Sequence, residues 1–163
     1  MVELTSIILG ALSIMHPQLY EDGMRGISLL EDWSSTNDLG MNRALSLWPS
    51  AFTNILVIVN WCTPLHCDPQ SHVSWYDIIV NVAEYTDCIM AIPTFGIELE
   101  YKPRTVVAFS RRLLRHGVNA VEGNWYCLTY YMRDNIHHWA NVPRCADWMR
   151  IDSVERLLRP TIL

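Results

Sequence analysis

The sequence has no CxxC pair, and its five cysteines, at positions 62, 67, 88, 127 and 145, are an odd number. That excludes a complete internal disulfide framework and a zinc ribbon. A reducing intracellular setting, cytoplasmic or nuclear, is the expectation. The apolar start MVELTSIILGALSIM carries Glu3 and no Lys or Arg before Arg25, so it lacks the basic leader of a secretory signal. No apolar run reaches the roughly 18–20 residues of a membrane span, and no membrane partner is expected. Internal repeats and low-complexity tracts are missing. So are helix–turn–helix, zinc-finger and basic-helix signatures, which leaves direct base readout without a motif. Charge is sparse at 18%, with a net charge of −5. That argues against a general nucleic-acid coat and leaves a local groove open.

What is present is apolar and aromatic. Half of the 163 residues are hydrophobic, with seven Trp and seven Tyr. This is enough chain for one domain with a real core. Leu4, Ile7, Ile8, Ala11, Leu12 and Met15 recur at helical spacing. Pro17 suits the first position of a second helix, through PQLYEDGMRGISLLEDW. SSTNDLG (34–40) reads as a polar loop, and NRALSLWPS as a short helical or turn segment. From Asn54 the texture changes. NILVIVNW, WYDIIVNVAEY, CIMAIP, GIELEY, TVVAFS and NWYCLTYYM are β-branched and aromatic, separated by breaks at TPLHCDPQ, PTFG and KPRT. Asp152 and Glu155 in DSVERLLR resemble a capping box. The predicted plan is N-terminal helices over 1–50, a β core over 51–136, and a tail with a helix over 137–163.

In TPLHCDPQS, His66 and Asp68 stand two apart after an apolar run. On a strand, residues i and i+2 share a face, so both side chains can reach one ion. The plainer reading is two polar residues at a strand end. A two-His-one-carboxylate iron site needs a second His and leaves three positions open, two for a 2-oxo acid and one for dioxygen. Of six histidines, His16 suits a cap between helices and His72 shares the loop of the first pair. His137 and His138 suit an exposed turn. His116, in SRRLLRHGV, is the best candidate. It follows Asp68 by enough chain for several strands of about five to six residues. In a jelly-roll barrel a late strand of this kind returns beside an early one.

The ordered segments TPLHCDPQS, WYDIIVNVAEYTD, AIPTFGIELEYKPRTVVAFSRRLLRHGV and WYCLTYYMRDNIH resemble the fungal branch of the TET/JBP-like dioxygenases. The likeness runs from ALSIMHPQLY through Ile136. It implies a mainly β chain with flanking helices around a double-stranded β-helix, the jelly-roll or cupin-like core. It also implies Fe(II) held by His66, Asp68 and His116, with 2-oxoglutarate as co-substrate, and oxidation of a methylated base in nucleic acid. The family's pattern places an Arg for the far carboxylate of 2-oxoglutarate at residue 125, where this chain has Trp125. Indole offers one N–H and no charge. Arg133 lies about 26 Å beyond residue 125 along an ideal strand, and nothing selects among Lys102, Arg104, Arg111 and Arg112 as a substitute. Cys67 and Arg104 are further departures, in places where a basic residue and a Gly are usual.

Lys102, Arg104, Arg111, Arg112 and Arg115 form a window without an acidic residue. It suits a phosphate backbone held beside the metal while one base enters the pocket. Alternatively, these are solvent-facing positions on a strand. Trp75, Tyr76, Tyr130 and Tyr131 are stacking candidates, though aromatics on strands more often pack a core. Two other functional readings follow. One is a degenerate, non-catalytic family member acting as a binding or structural module. The other is a metal-dependent barrel enzyme with a different organic co-substrate.

Overall fold

The computed structural model describes residues 2–82, 84–119 and 122–142 of the protein. The apolar stripe at the start forms α1, Val2–Met15. His16 then caps α2, Pro17–Asn37, its ring accepting the Leu19 N–H, and Pro17 takes the first helical turn where no donor is missed. SSTNDLG is not a loop. Ser34, Ser35 and Thr36 turn their hydroxyls back onto the carbonyls three residues earlier, so α2 continues to Asn37. Asp38 alone breaks the helix, and its carboxylate caps α3, Leu39–Leu45.

Ten strands follow. They are β1 (Asn54–Val59), β2 (Thr63–His66), β3 (Asp77–Val82), β4 (Tyr85–Thr86), β5 (Ile89–Ile92), β6 (Ile97–Glu100), β7 (Val106–Phe109), β8 (His116–Val118), β9 (Glu122–Gly123) and β10 (Tyr126–Tyr131), before a short α4, Asp134–Trp139. Two four-stranded sheets result, in the orders β1-β10-β3-β7 and β2-β8-β5-β6, with β4-β9 as a small third ladder. All pairings are antiparallel. This is the double-stranded β-helix arrangement. TPLHCDPQ is not only a break between strands: it supplies β2. The strand lies at the edge of its sheet, where Pro64 removes no ladder bond that a neighbour needs.

The first sheet separates two cores by strand alternation. Ile78 and Val80 of β3, with Leu128 and Tyr130 of β10, face the helices and pack with Ile8, Leu12, Leu19, Phe52 and Trp75. Ile79 and Cys127, one residue out of phase, face inward and join Met90, Tyr101, Val118 and Trp125 between the sheets. Each large side chain so buried contributes roughly 1.5–3 kcal/mol. Trp75 and Tyr130 are therefore core residues, while Tyr76 packs edge-on against His16 and Tyr131 lies under Arg133. At the β6–β7 turn Arg104 has φ of 70°, in the left-handed region that favours Gly. No helix among the described residues is long and apolar enough to cross a membrane. The DSVERLLR helix and its capping box lie outside the described residues.

Candidate metal centre

The pairing of β2 with β8 sets His66 directly opposite His116, their rings 4.4 Å apart between centroids. Gly117 makes this approach possible. A Cβ there would stand 2.8 Å from the Thr63 carbonyl oxygen and 3.0 Å from the Leu65 nitrogen, so only Gly lets the two backbones meet. Asp68 lies just past the end of β2. It is held there by its N–H, which donates to the Arg111 carbonyl at 2.9 Å, and by the Arg112 side chain, which donates to the Pro69 carbonyl.

Both imidazoles are oriented from behind. His66 Nδ1 lies 2.8 Å from the Pro64 carbonyl and His116 Nδ1 lies 2.9 Å from the Leu114 carbonyl. A carbonyl only accepts, so each Nδ1 carries the proton and each Nε2 presents a lone pair. His66 Nε2 is 3.5 Å from Asp68 Oδ1. Burial pushes the His116 imidazole down to about 4, with the Arg111 guanidinium also acting against its protonation. It is thus neutral, as a ligand must be, throughout the physiological range. One donor atom from each of His66, Asp68 and His116 lies within 4.8 Å of the other two. A shared ion at about 2.1 Å from each donor requires separations of about 4.2 Å or less, so a small side-chain adjustment closes the site. The residues fit a divalent metal with two nitrogen ligands and one oxygen ligand.

Nothing in the sequence sets Arg111 apart from its basic neighbours. It is buried, pairs with Asp68 Oδ2, and directs Nε to His116 Nε2 at 3.4 Å. A positive charge thus already stands between two of the three ligands, where the triad attracts cations. Asp77, also unremarked in the sequence, begins β3 nearby. It is buried and accepts the Ser71 hydroxyl at 3.1 and 3.3 Å. Burial pushes its carboxyl up to about 7 against the opposing pull of Arg111 and Ser71. Arg133 comes closer than strand extension suggests. β10 ends at Tyr131, and Arg133 then lines a cavity of about 260 Å³ together with Asp68, Arg111, Ser71 and Asp77.

The other histidines are elsewhere. His16 is the α2 cap, and His72 sits against Ser74 and Trp75. His137 is not in an exposed turn. It is fully buried in α4 against Trp75, and neither ring nitrogen has a hydrogen-bond partner among the described residues. His138 beside it is exposed. The basic window is divided by β7. Lys102, paired with Glu100, and Arg104 lie before that strand, whereas Arg111, Arg112 and Arg115 lie after it. Arg112 and Arg115 are exposed, and Arg111 faces inward. Cys62 and Cys67 are exposed free thiols.

A second cavity, of about 330 Å³, opens from the triad into the space between the sheets. Trp125 forms part of its wall, with its indole N–H donated to Asn81 Oδ1 at 3.0 Å. A small ligand has room beside the metal ligands, since ligand sites begin at about 300 Å³. A family model, Tet_JBP, described as the oxygenase domain of the 2OGFeDO superfamily, matches residues 1–134. No curated protein matches the chain.

Proposed function

The chain belongs to the Tet_JBP oxygenase domain family, and we propose that it is an iron(II)-dependent oxygenase, of that family's fungal branch, which oxidises a methylated base in nucleic acid at the expense of a 2-oxo acid. The superfamily implies iron(II) and 2-oxoglutarate. The observation carrying the reading is the triad, in which two imidazoles and a carboxylate converge beside a cavity with both lone pairs already oriented. His66, Asp68 and His116 would hold the metal, and the bound metal would supply dioxygen activation coupled to oxidation of the 2-oxo acid. The chain's own residues do the rest. The Pro64 and Leu114 carbonyls keep the imidazoles in the ligating tautomer. The cavity gives a small organic co-substrate room beside the ligands, and Arg111 balances the charge of Asp68.

Nucleic acid as substrate is supported by charge placement. Arg112 and Arg115 are exposed on the segment leading into His116. Arg112 and Arg133 also line a wide groove of about 840 Å³ beside Pro69 and Gln70, adjoining the metal loop. Phosphates in that groove would bring a flipped base toward the triad. One observation favours the non-catalytic reading: Trp125 is in the core with its only donor engaged, so it cannot take a carboxylate.

Anaerobic reconstitution with iron(II), followed by mass spectrometry of a methylcytosine oligonucleotide incubated with 2-oxo acid and air, separates the two. Oxidised base is the expected product. Tight iron binding without product from any methylated base would establish the binding-module reading. His66→Ala should lower metal affinity at least about tenfold, and an unchanged affinity would overturn the ligand assignment.

A further inference from the structure

We infer that the co-substrate pocket selects a 2-oxo acid with an apolar side chain over a dicarboxylate; this rests on the oxygenase reading above and concerns the same site. Every 2-oxo acid presents the same carboxylate and oxo group to a metal. What distinguishes one from another is the far end of the molecule, so the wall opposite the triad decides.

That wall includes Ile79, Met90, Tyr101, Val118, Trp125 and Cys127, all buried and all members of the inter-sheet core, with the Thr129 hydroxyl 4.0 Å from Cys127 Sγ. Its polar atoms are already engaged. Trp125 Nε1 donates to Asn81 Oδ1, and Tyr101 Oη lies 3.9 Å from Cys127 Sγ. Asn81 is in turn held through its amide nitrogen on the Tyr101 carbonyl, at 3.0 Å, so the indole's acceptor is fixed in place.

Among the described residues lining this cavity, Arg111 is the one cation. It is already paired with Asp68 and directed at His116. A second carboxylate pushed against the core wall would lie desolvated and unpaired, which weakens binding by at least about tenfold. A branched alkyl or aryl group there buries apolar surface on both sides. Each methylene contributes roughly a fourfold gain in affinity.

The test is a comparison of 4-methyl-2-oxopentanoate with 2-oxoglutarate on the iron(II)-loaded 163-residue chain without oxygen. It follows the visible charge-transfer band and confirms each affinity by calorimetry on the manganese-loaded protein. The expected result is at least about tenfold tighter binding of the branched acid. Trp125→Arg should reverse the order, because it places a guanidinium in the apolar wall. Should that variant fail to fold, the wild-type ratio decides alone. A ratio near unity, or tighter 2-oxoglutarate, overturns this inference and leaves the oxygenase reading standing. If neither acid binds the metal-loaded protein at millimolar concentration, the oxygenase reading fails and takes this inference with it.

Discussion

Asp77 gives the most quantitative check on the charge arrangement around the site. It is 1% exposed, and among the described residues Ser71 supplies the hydrogen bond to its carboxyl. Burial raises the carboxyl from 3.8 to about 7 despite Arg111. Between those values the folded protein keeps a proton that the unfolded chain has released. The Asp77 contribution to stability must therefore fall as pH rises from about 4 to about 7, and level off above. At about 1.36 kcal/mol per unit, the full loss at pH 8 is on the order of 4 kcal/mol. Asp77→Asn keeps an acceptor for Ser71 and removes the charge. The variant should be more stable than wild type by roughly 2–4 kcal/mol at pH 8, and within about 1 kcal/mol of it at pH 4. Burial depresses His16, His116 and His137, which act with the opposite sign and lose stability as pH drops below 6.5. They are present in both proteins and cancel in the difference. Urea unfolding of metal-free protein across pH 4–8 measures it. Parallel profiles for the two proteins would refute the claim that Asp77 is buried against its charge.

Two backbone predictions follow from the same structure. Gly117→Ala should force β2 away from β8, destabilising the fold by about 1–3 kcal/mol and lowering manganese affinity at least about tenfold; calorimetry showing wild-type affinity would mean that the close approach is not what joins His66 to His116. Arg104→Gly relieves a left-handed residue at an exposed turn and should stabilise by about 1 kcal/mol in chemical denaturation, whereas a loss of stability would show that the Arg104 side chain makes a needed contact.

Much of this architecture is legible in the sequence because alternation is a local property. In DIIVNV and YCLTYY the apolar side chains recur on both faces, which marks strands covered on each side, and the structure puts helices on one side and the second sheet on the other. Where local propensity and long-range packing disagree, packing prevails. SSTN is helical because its hydroxyls find carbonyls one turn back. Pro64 sits in a strand because that strand is an edge. His137 is buried because α4 folds onto Trp75, a residue far away in the chain. Arg111 and Arg112 are adjacent and chemically identical, yet one enters the site and the other caps a loop carbonyl. Nothing in SRRLLR separates them, since the turn after β7 has no period to read.

The same limit governs the ligand set. Residue type says which histidines can hold a metal, and pairing register says which do. His72 is only four residues from Asp68, but the chain turns before it, and Ser74 and Trp75 hold its ring away from the triad. His116 is remote in sequence, and the antiparallel ladder puts it across from His66 with only Gly117 able to fill the space between the strands. The metal site is therefore a property of one strand pairing. Its most sensitive position is a residue that donates nothing to the metal, which is why Gly117, and not a fourth polar side chain, is the place where the geometry can be broken with all three ligands intact.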